Sequence, residues 1–167
     1  MAITLVRHTR PDVAEGLCYG RTDLGLAAGS MADCDGVITR LSCPTMVVSS
    51  PLERCRVLAS RISGAFGVEQ TVSQDFAEMD FGHWENRRWD DIGRDALDAW
   101  AADFLGYAGH GGESVAQLRD RVARGLDSVP EGALVVTHAG VIKAALVLRG
   151  DAAGWDHRPG FGAVVRV

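Results

Sequence analysis

Four side chains in this 167-residue sequence are of types that could act together on an anion: Arg7, His8, Arg54 and His138. Arginine carries a permanent forked charge that matches the oxygens of an oxyanion. Histidine changes charge near neutrality and can act as nucleophile, acid or base. Taken singly, each has an ordinary explanation. A histidine after a strand is usually a surface or hydrogen-bonded residue, and an arginine in a helix first turn is usually just solvated. Whether the four meet depends on the elements that carry them.

Ile3–Val6 is a short apolar run that predicts a strand ending at Arg7-His8. Residues 11–28 lack periodicity and contain Pro11, Gly16, Gly20 and Gly25, which predicts a long loop of the kind that often carries function. Residues 29–41 read weakly as a helix, and Thr45–Val48 as a second strand closed by Ser49-Ser50. Ser50 is then the expected N-cap of a helix, with Pro51 at its first position and Glu53 in its first turn. Leu52, Cys55, Leu58, Ala59, Ile62 and Phe66 follow at helical spacing, and Arg54 falls in the first turn. Gln70–Ser73 predicts a strand, 75–84 an irregular stretch, and 86–104 a helix with Trp89, Ile92, Ala96 and Trp100 inward. A loop at 106–112 precedes a helix at 113–127 with Val115, Leu118, Val122 and Leu126 on its inner face. Leu134–Thr137 is uniformly apolar, as expected of a strand covered on both faces. His138-Ala139-Gly140 follow it, then an apolar helix at 141–149 and a last strand at 163–167.

Strands alternating with helices predict an α/β fold with a mainly parallel central sheet, and the length predicts a single domain over 1–167. In an open parallel sheet, ligands bind at the carboxyl ends of strands. Arg7-His8, Arg54 and His138 all occupy such ends, and two of the three clusters sit beside helix N-termini, where free N–H groups and the dipole favour an anion. Two arginines, two histidines and two helix starts imply a site for a dianionic phosphate. His83, His110 and His157 have no such placement, and Trp89 and Trp100 read as core.

Composition narrows the partners. Hydrophobic residues at 47% supply enough apolar surface to offset ordering entropy, so dominant disorder is excluded. A net charge of −5 argues against a general nucleic-acid binder. No run approaches the ~18 apolar residues of a membrane span. The first residues lack a basic stretch ahead of a long apolar run and read as the first strand of a cytoplasmic protein. Cys18, Cys34, Cys43 and Cys55 show neither metal-ligand spacing nor a disulfide framework and read as small core fillers. The expected partner is a small-molecule phosphate ester, with no nucleic acid and no membrane.

Five segments resemble the histidine phosphatase superfamily, the phosphoglycerate mutase-like branch 1 group. They are Leu5-Val6-Arg7-His8-Thr9, Ser49-Ser50-Pro51-Leu52-Glu53-Arg54-Cys55, the stretch from Glu78 to Glu85, Gly111-Gly112-Glu113-Ser114 and Val136-Thr137-His138-Ala139-Gly140. They fall in the family's order and span nearly the whole chain. Cys18-Tyr19-Gly20-Arg21-Thr22-Asp23 further resembles the α-ribazole phosphatase subgroup, which acts in cobalamin nucleotide-loop assembly. The sequence departs from the family pattern at Thr9-Arg10, where Gly-Glu is usual, and at Leu26-Ala27-Ala28-Gly29, where Leu-Thr-x-x-Gly is usual. The first resembles a variant found in the same subgroup, and the second bears on local packing.

The resemblance implies a three-layer α/β/α sandwich and a covalent phosphohistidine on His8. A neutral imidazole is a competent nucleophile, and neighbouring cations keep it neutral. Arg7, Arg54, His138 and the Ala139 backbone would hold the phosphoryl oxygens. Glu78 would protonate the leaving alkoxide and then activate water, with Asp75 and Asp80 as rival carboxylates. The scheme needs no metal and no cofactor. The loop 16–23 is expected at the mouth of the site, with Tyr19, Arg21, Thr22 and Trp84 as substrate contacts and the two aromatics as apolar walls.

Three other readings stand beside a phosphomonoesterase for a small phosphate such as α-ribazole 5′-phosphate. They are a phosphoglycerate mutase-like phosphotransferase, a small phosphoprotein phosphatase and a non-catalytic phosphate-binding module. Mutases of this family are generally longer, so the 29 positions from Glu78 to Tyr107 and an end at the last strand favour an open phosphatase site. The Glu78 motif and the loop 16–23 favour a small molecule over a phosphoprotein, and the retained histidines, arginines and Glu78 argue against a non-catalytic module.

Overall fold

The computed structural model describes residues 2–167. Its strands are β1 (Thr4–Arg7), β2 (Val47–Ser49), β3 (Gln70–Val72), β4 (Leu134–Thr137) and β5 (Val164–Arg166). They form one sheet in the order β3-β2-β4-β1-β5. The first four run parallel, and β5 closes the edge antiparallel to β1. The helices are α1 (Ser30–Ile38), α2 (Glu53–Phe66), α3 (Arg94–Ala102), α4 (Val115–Ser128) and α5 (Ala139–Leu148).

The period of two along each strand divides the core. Leu5, Val48 and Val135 point to one face, where they pack with Val115, Leu118 and Val122 of α4 and Val141, Ile142 and Ala145 of α5. Val6, Val47, Leu134 and Val136 point to the other, against Cys34 and Val37 of α1 and Cys55, Leu58 and Ile62 of α2. This is the expected three-layer sandwich. All four residues of β4 are buried, because it lies at the centre with helices on both sides. A third cluster of Cys18, Trp84 and Ile92, joined by Trp89, Trp100 and Tyr107, fills the stretch between β3 and α4.

The structure shifts several boundaries. α2 starts at Glu53 with Leu52 at its N-cap, and no side chain caps it there. Ser50 instead uses its Oγ to accept the Leu52 N–H at 3.3 Å and to bond His138. The backbone amide of Glu53 is met from the long loop by Asp23 Oδ1, at 2.7 Å. The expected helix over 86–104 is broken: short 3₁₀ turns at Gly82–Trp84 and Trp89–Asp91 precede α3. Asn86 sits at φ 65° and Gly93 at φ 95°, conformations no right-handed helix accepts. Leu17 bridges Arg88 and pulls this segment against the long loop. α5 begins at Ala139, two residues earlier than expected, so His138 is its N-cap. Cys43 is exposed, which removes it from the expected core fillers, whereas Cys18, Cys34 and Cys55 are buried.

Candidate active site

The parallel register decides which side chains meet. Arg7 lies beside Thr137, and the His8 N–H donates to the Thr137 carbonyl at 3.0 Å, so His8 and His138 leave adjacent strands at the same level. Their ring centroids are 5.2 Å apart, edge to face, and both rings are fully buried. Arg54 arrives from α2 on the far side of β4 and is wholly shielded from solvent. The four residues expected to converge are therefore brought to one rim.

His8 Nδ1 lies 2.7 Å from the Thr9 carbonyl. A carbonyl only accepts, so Nδ1 carries the proton, and in the neutral ring Nε2 keeps its lone pair. Burial, with Arg54 and Arg7 close by, pushes His8 down to about 3 against the opposing Thr9 carbonyl. His138 is lowered well below its ordinary value by burial, then by His8 and Arg54. His138 Nε2 bonds the buried Ser50 Oγ at 2.7 Å, with Cys55 Sγ 3.4 Å away.

The arginines are fixed but not neutralised. Arg54 Nη1 and Nη2 donate to the carbonyls of Thr22 and Gly20, each at 2.7 Å. Arg7 Nη1 donates to Pro159 O at 2.8 Å, and its guanidinium lies 4.0 Å over the Phe161 ring. The Nε of each is buried without a hydrogen-bond partner among the described residues. Among the described residues no ion pair includes either one.

Glu78 reaches this centre from the loop after β3. Its Oε2 accepts the Gly140 N–H at 3.1 Å, at the start of α5, and its Oε1 accepts the Met79 N–H at 2.9 Å. A Cβ at position 140 would push the Glu78 carboxylate out of this place, which glycine leaves open. The rival carboxylates face elsewhere. Asp75 Oδ1 meets Arg124, and Asp80 Oδ1 accepts the Gly82 N–H. Ala139 is the first residue of α5.

The expected substrate contacts divide. Tyr19 stands at the rim, 5.2 Å beneath the Arg54 guanidinium and close to Arg7, and burial raises its phenol above its ordinary value. Trp84 does not: it is 1% exposed, stacked on Tyr107 inside the third cluster, and cannot wall an opening. Thr22 Oγ1 donates to Glu85 at 2.6 Å, and Arg21 Nε donates to the Glu78 carbonyl at 2.6 Å, so both hold the frame of the site. Two residues were missed from sequence. Ser50 reads from sequence as a helix cap within the segment 49–55, with nothing to mark its bond to His138. Phe161, 45% exposed, lies over Arg7 with its ring 5.7 Å from that of His8, in a stretch with no periodicity to mark it. Phe161 also borders an open groove of about 520 Å³ lined by Thr9, Arg10, Asp33 and Arg40. A more enclosed hollow of about 330 Å³, lined by Thr4, Leu134 and Arg166, lies at the opposite ends of the strands and holds none of these groups.

The arrangement offers a neutral nucleophilic nitrogen, two arginines outside any ion pair and a carboxylate at a helix start. The profile of the histidine phosphatase superfamily (branch 1) matches residues 3–159. The chain is 31% identical to a bifunctional protein of Mycobacterium tuberculosis, with 90% of this chain aligned, and spans 44% of that relative's length. It is 28% identical to the adenosylcobalamin/alpha-ribazole phosphatase of Salmonella typhimurium over 95% of this chain and 85% of that one. The crystal structure of TTHB049 from Thermus thermophilus superposes with a TM-score of 0.81 at 29% identity, covering 100% of this chain and 93% of that one.

Proposed function

The chain belongs to the histidine phosphatase superfamily (branch 1), and from that premise we propose that it is a phosphomonoesterase working through a phosphohistidine on His8. The observation that carries the reading is the pair of guanidiniums of Arg7 and Arg54, each with a buried Nε that no described residue bonds and neither in an ion pair, beside a neutral imidazole. A shielded cation outside any ion pair is costly, and a phosphate dianion supplies opposite charge and an acceptor for the free Nε–H.

In the first half-reaction His8 Nε2 attacks phosphorus as the bond to the alcohol oxygen breaks. Arg7, Arg54 and His138 hold the equatorial oxygens where charge gathers. Glu78 gives its proton to the departing alkoxide, and the Thr9 carbonyl stabilises the ring, which becomes cationic on phosphorylation. In the second, Glu78 takes a proton from water, the water oxygen attacks phosphorus, the N–P bond breaks and inorganic phosphate leaves. His8 and Glu78 return to their starting states.

For the alcohol, the Salmonella relative's name, the segment Cys18–Asp23 and the flanking rings of Tyr19 and Phe161 support a ring-bearing ester such as α-ribazole 5′-phosphate. The test is turnover of α-ribazole 5′-phosphate, 3-phosphoglycerate and p-nitrophenyl phosphate in EDTA, with rapid-quench trapping of an acid-labile, base-stable phosphoenzyme. Turnover persists in EDTA, the α-ribazole ester gives the highest kcat/KM, and His8→Ala abolishes the phosphoenzyme and at least ~10³-fold of kcat. Near wild-type turnover by His8→Ala sinks the mechanism. No preference among the esters sinks the substrate and leaves the mechanism standing.

A further inference from the structure

The loop that carries Glu78 has little regular structure to fix it, yet its carboxylate must stay within reach of the leaving oxygen. A buried arginine from α4 grips this loop. Arg121 is 7% exposed. Its Nη1 donates to the carbonyls of Asp75 at 2.9 Å and Ala77 at 2.6 Å, and its Nη2 to that of Glu78 at 3.0 Å. The other side of the fork meets Glu113, Nε to Oε1 at 2.6 Å and Nη2 to Oε2 at 2.9 Å. A guanidinium has five N–H groups in a fixed plane, and these five contacts use them all. Glu113 is itself tied to the same loop, since its N–H donates to the Asp80 carbonyl at 2.8 Å. Arg21 adds a second guanidinium on the Glu78 carbonyl.

We propose that Arg121, paired with Glu113, is the positioning residue of the proton-transfer carboxylate: it fixes the Glu78 backbone so that the side chain lies at the N-terminus of α5. Arg121 does not touch the phosphate. It acts through the carbonyls of Asp75, Ala77 and Glu78, two before the acid and one at the acid itself, and planar, five-donor geometry is what that task requires. Lysine offers a point charge with three donors and no fork, so it cannot hold three carbonyls and a bidentate carboxylate together.

The inference rests on the reading of Glu78 as the proton donor, and the experiment separates the two. Proton donation matters for an alkyl phosphate and much less for p-nitrophenyl phosphate, whose leaving group is already stable as an anion. Glu78→Gln lowers kcat/KM for the alkyl ester by roughly 10²-fold or more and for p-nitrophenyl phosphate by far less. Arg121→Lys and the milder Glu113→Gln show the same selective loss, roughly 10-fold or more on the alkyl ester, while circular dichroism and thermal melting confirm folded protein. In the Glu78→Gln background, Arg121→Lys costs little further on the alkyl ester, because the group it positions is gone. Equal losses on both esters in folded Arg121→Lys and Glu113→Gln, or a full additional loss in the double variant, overturn the positioning role. A Glu78→Gln enzyme indifferent to leaving group overturns the role of Glu78 itself.

Discussion

Arg7, Arg54 and Arg121 are all substantially buried, yet their partners divide them by task. Arg121 is saturated: a carboxylate and three carbonyls leave no donor over, as expected of a guanidinium built into a scaffold. Arg7 has one donor on Pro159 O, a ring beneath it and an unpartnered Nε, and burial lowers its pKa. A cation held that way costs the empty protein stability and returns it when an anion arrives. Arg7→Met, which keeps the stem and removes the charge, should therefore melt within about 1 kcal/mol of wild type in phosphate-free buffer. It should also lose the rise in Tm that millimolar inorganic phosphate gives the wild type, and about 10²-fold or more in kcat/KM. Differential scanning fluorimetry with and without phosphate checks it; a large loss of stability with the phosphate response intact would make Arg7 a scaffold residue. Arg7, His8, Arg54 and His138 were legible in the sequence because strand ends in a parallel sheet share a rim, whatever the intervening chain does. Ser50 was not, because its bond to His138 spans 88 positions and leaves no local mark.

At the level of elements, the loop 16–23 that brings Tyr19 to the rim is also a bracket for Arg54. Its carbonyls at Gly20 and Thr22 receive that guanidinium, and Asp23 receives the Glu53 N–H at the start of the helix that carries it. Glu85 holds the bracket in place. Its carboxylate accepts the N–H groups of Gly20, Arg21, Thr22 and Phe81 and the hydroxyl of Thr22. Burial pulls its pKa upward, but the bonds from Thr22, Gly20 and Arg21 outweigh it and hold Glu85 below its ordinary value. Glu85→Ala should cost about 2–3 kcal/mol, since several donors lose their acceptor at once. It should raise KM for phosphate esters, because Arg54 loses the carbonyls that aim it. Urea denaturation and limited proteolysis within 16–23 read the first effect, and unchanged stability with unchanged KM would refute the bracket. The neighbouring segment shows why sequence periodicity stopped short. Trp89, Ile92, Ala96 and Trp100 do recur at helical spacing and do pack together. The backbone between them is broken at Gly93, and Arg88 just ahead of them is bridged to Leu17, a tertiary constraint that overrides a local pattern. The parallel sheet was legible because strands alternate with helices along the chain, and the three-layer sandwich followed from the family resemblance.

Over the whole molecule, the site's chemistry sets the response to acid. His8, His138 and His110 are all buried, and burial lowers the pKa of each. For His8 and His138, Arg54 adds repulsion, and for His110 the main cause is burial among Phe81, Trp84 and Tyr107. In the unfolded chain each imidazole takes a proton near pH 6.5. Below that pH the unfolded state binds protons that the native state refuses, so unfolding becomes easier as pH falls. The stabilisation is complete above about pH 7 and drains away through the window beneath 6.5. Because His8 stays neutral down to about 3, it alone accounts for about 2 kcal/mol lost between pH 7 and pH 5. His138 and His110 act in the same direction. At ~2–4 °C per kcal/mol for a chain of this size, Tm should fall by several degrees across that window from His8 alone. His8→Asn should make the fall visibly shallower, because the variant has one fewer imidazole to protonate on unfolding. A Tm that stays flat from pH 7 to pH 5, or a slope that His8→Asn leaves unaltered, would show that the native protein accommodates imidazolium at the rim. The neutral nucleophile on which the phosphohistidine route depends would then be lost with it.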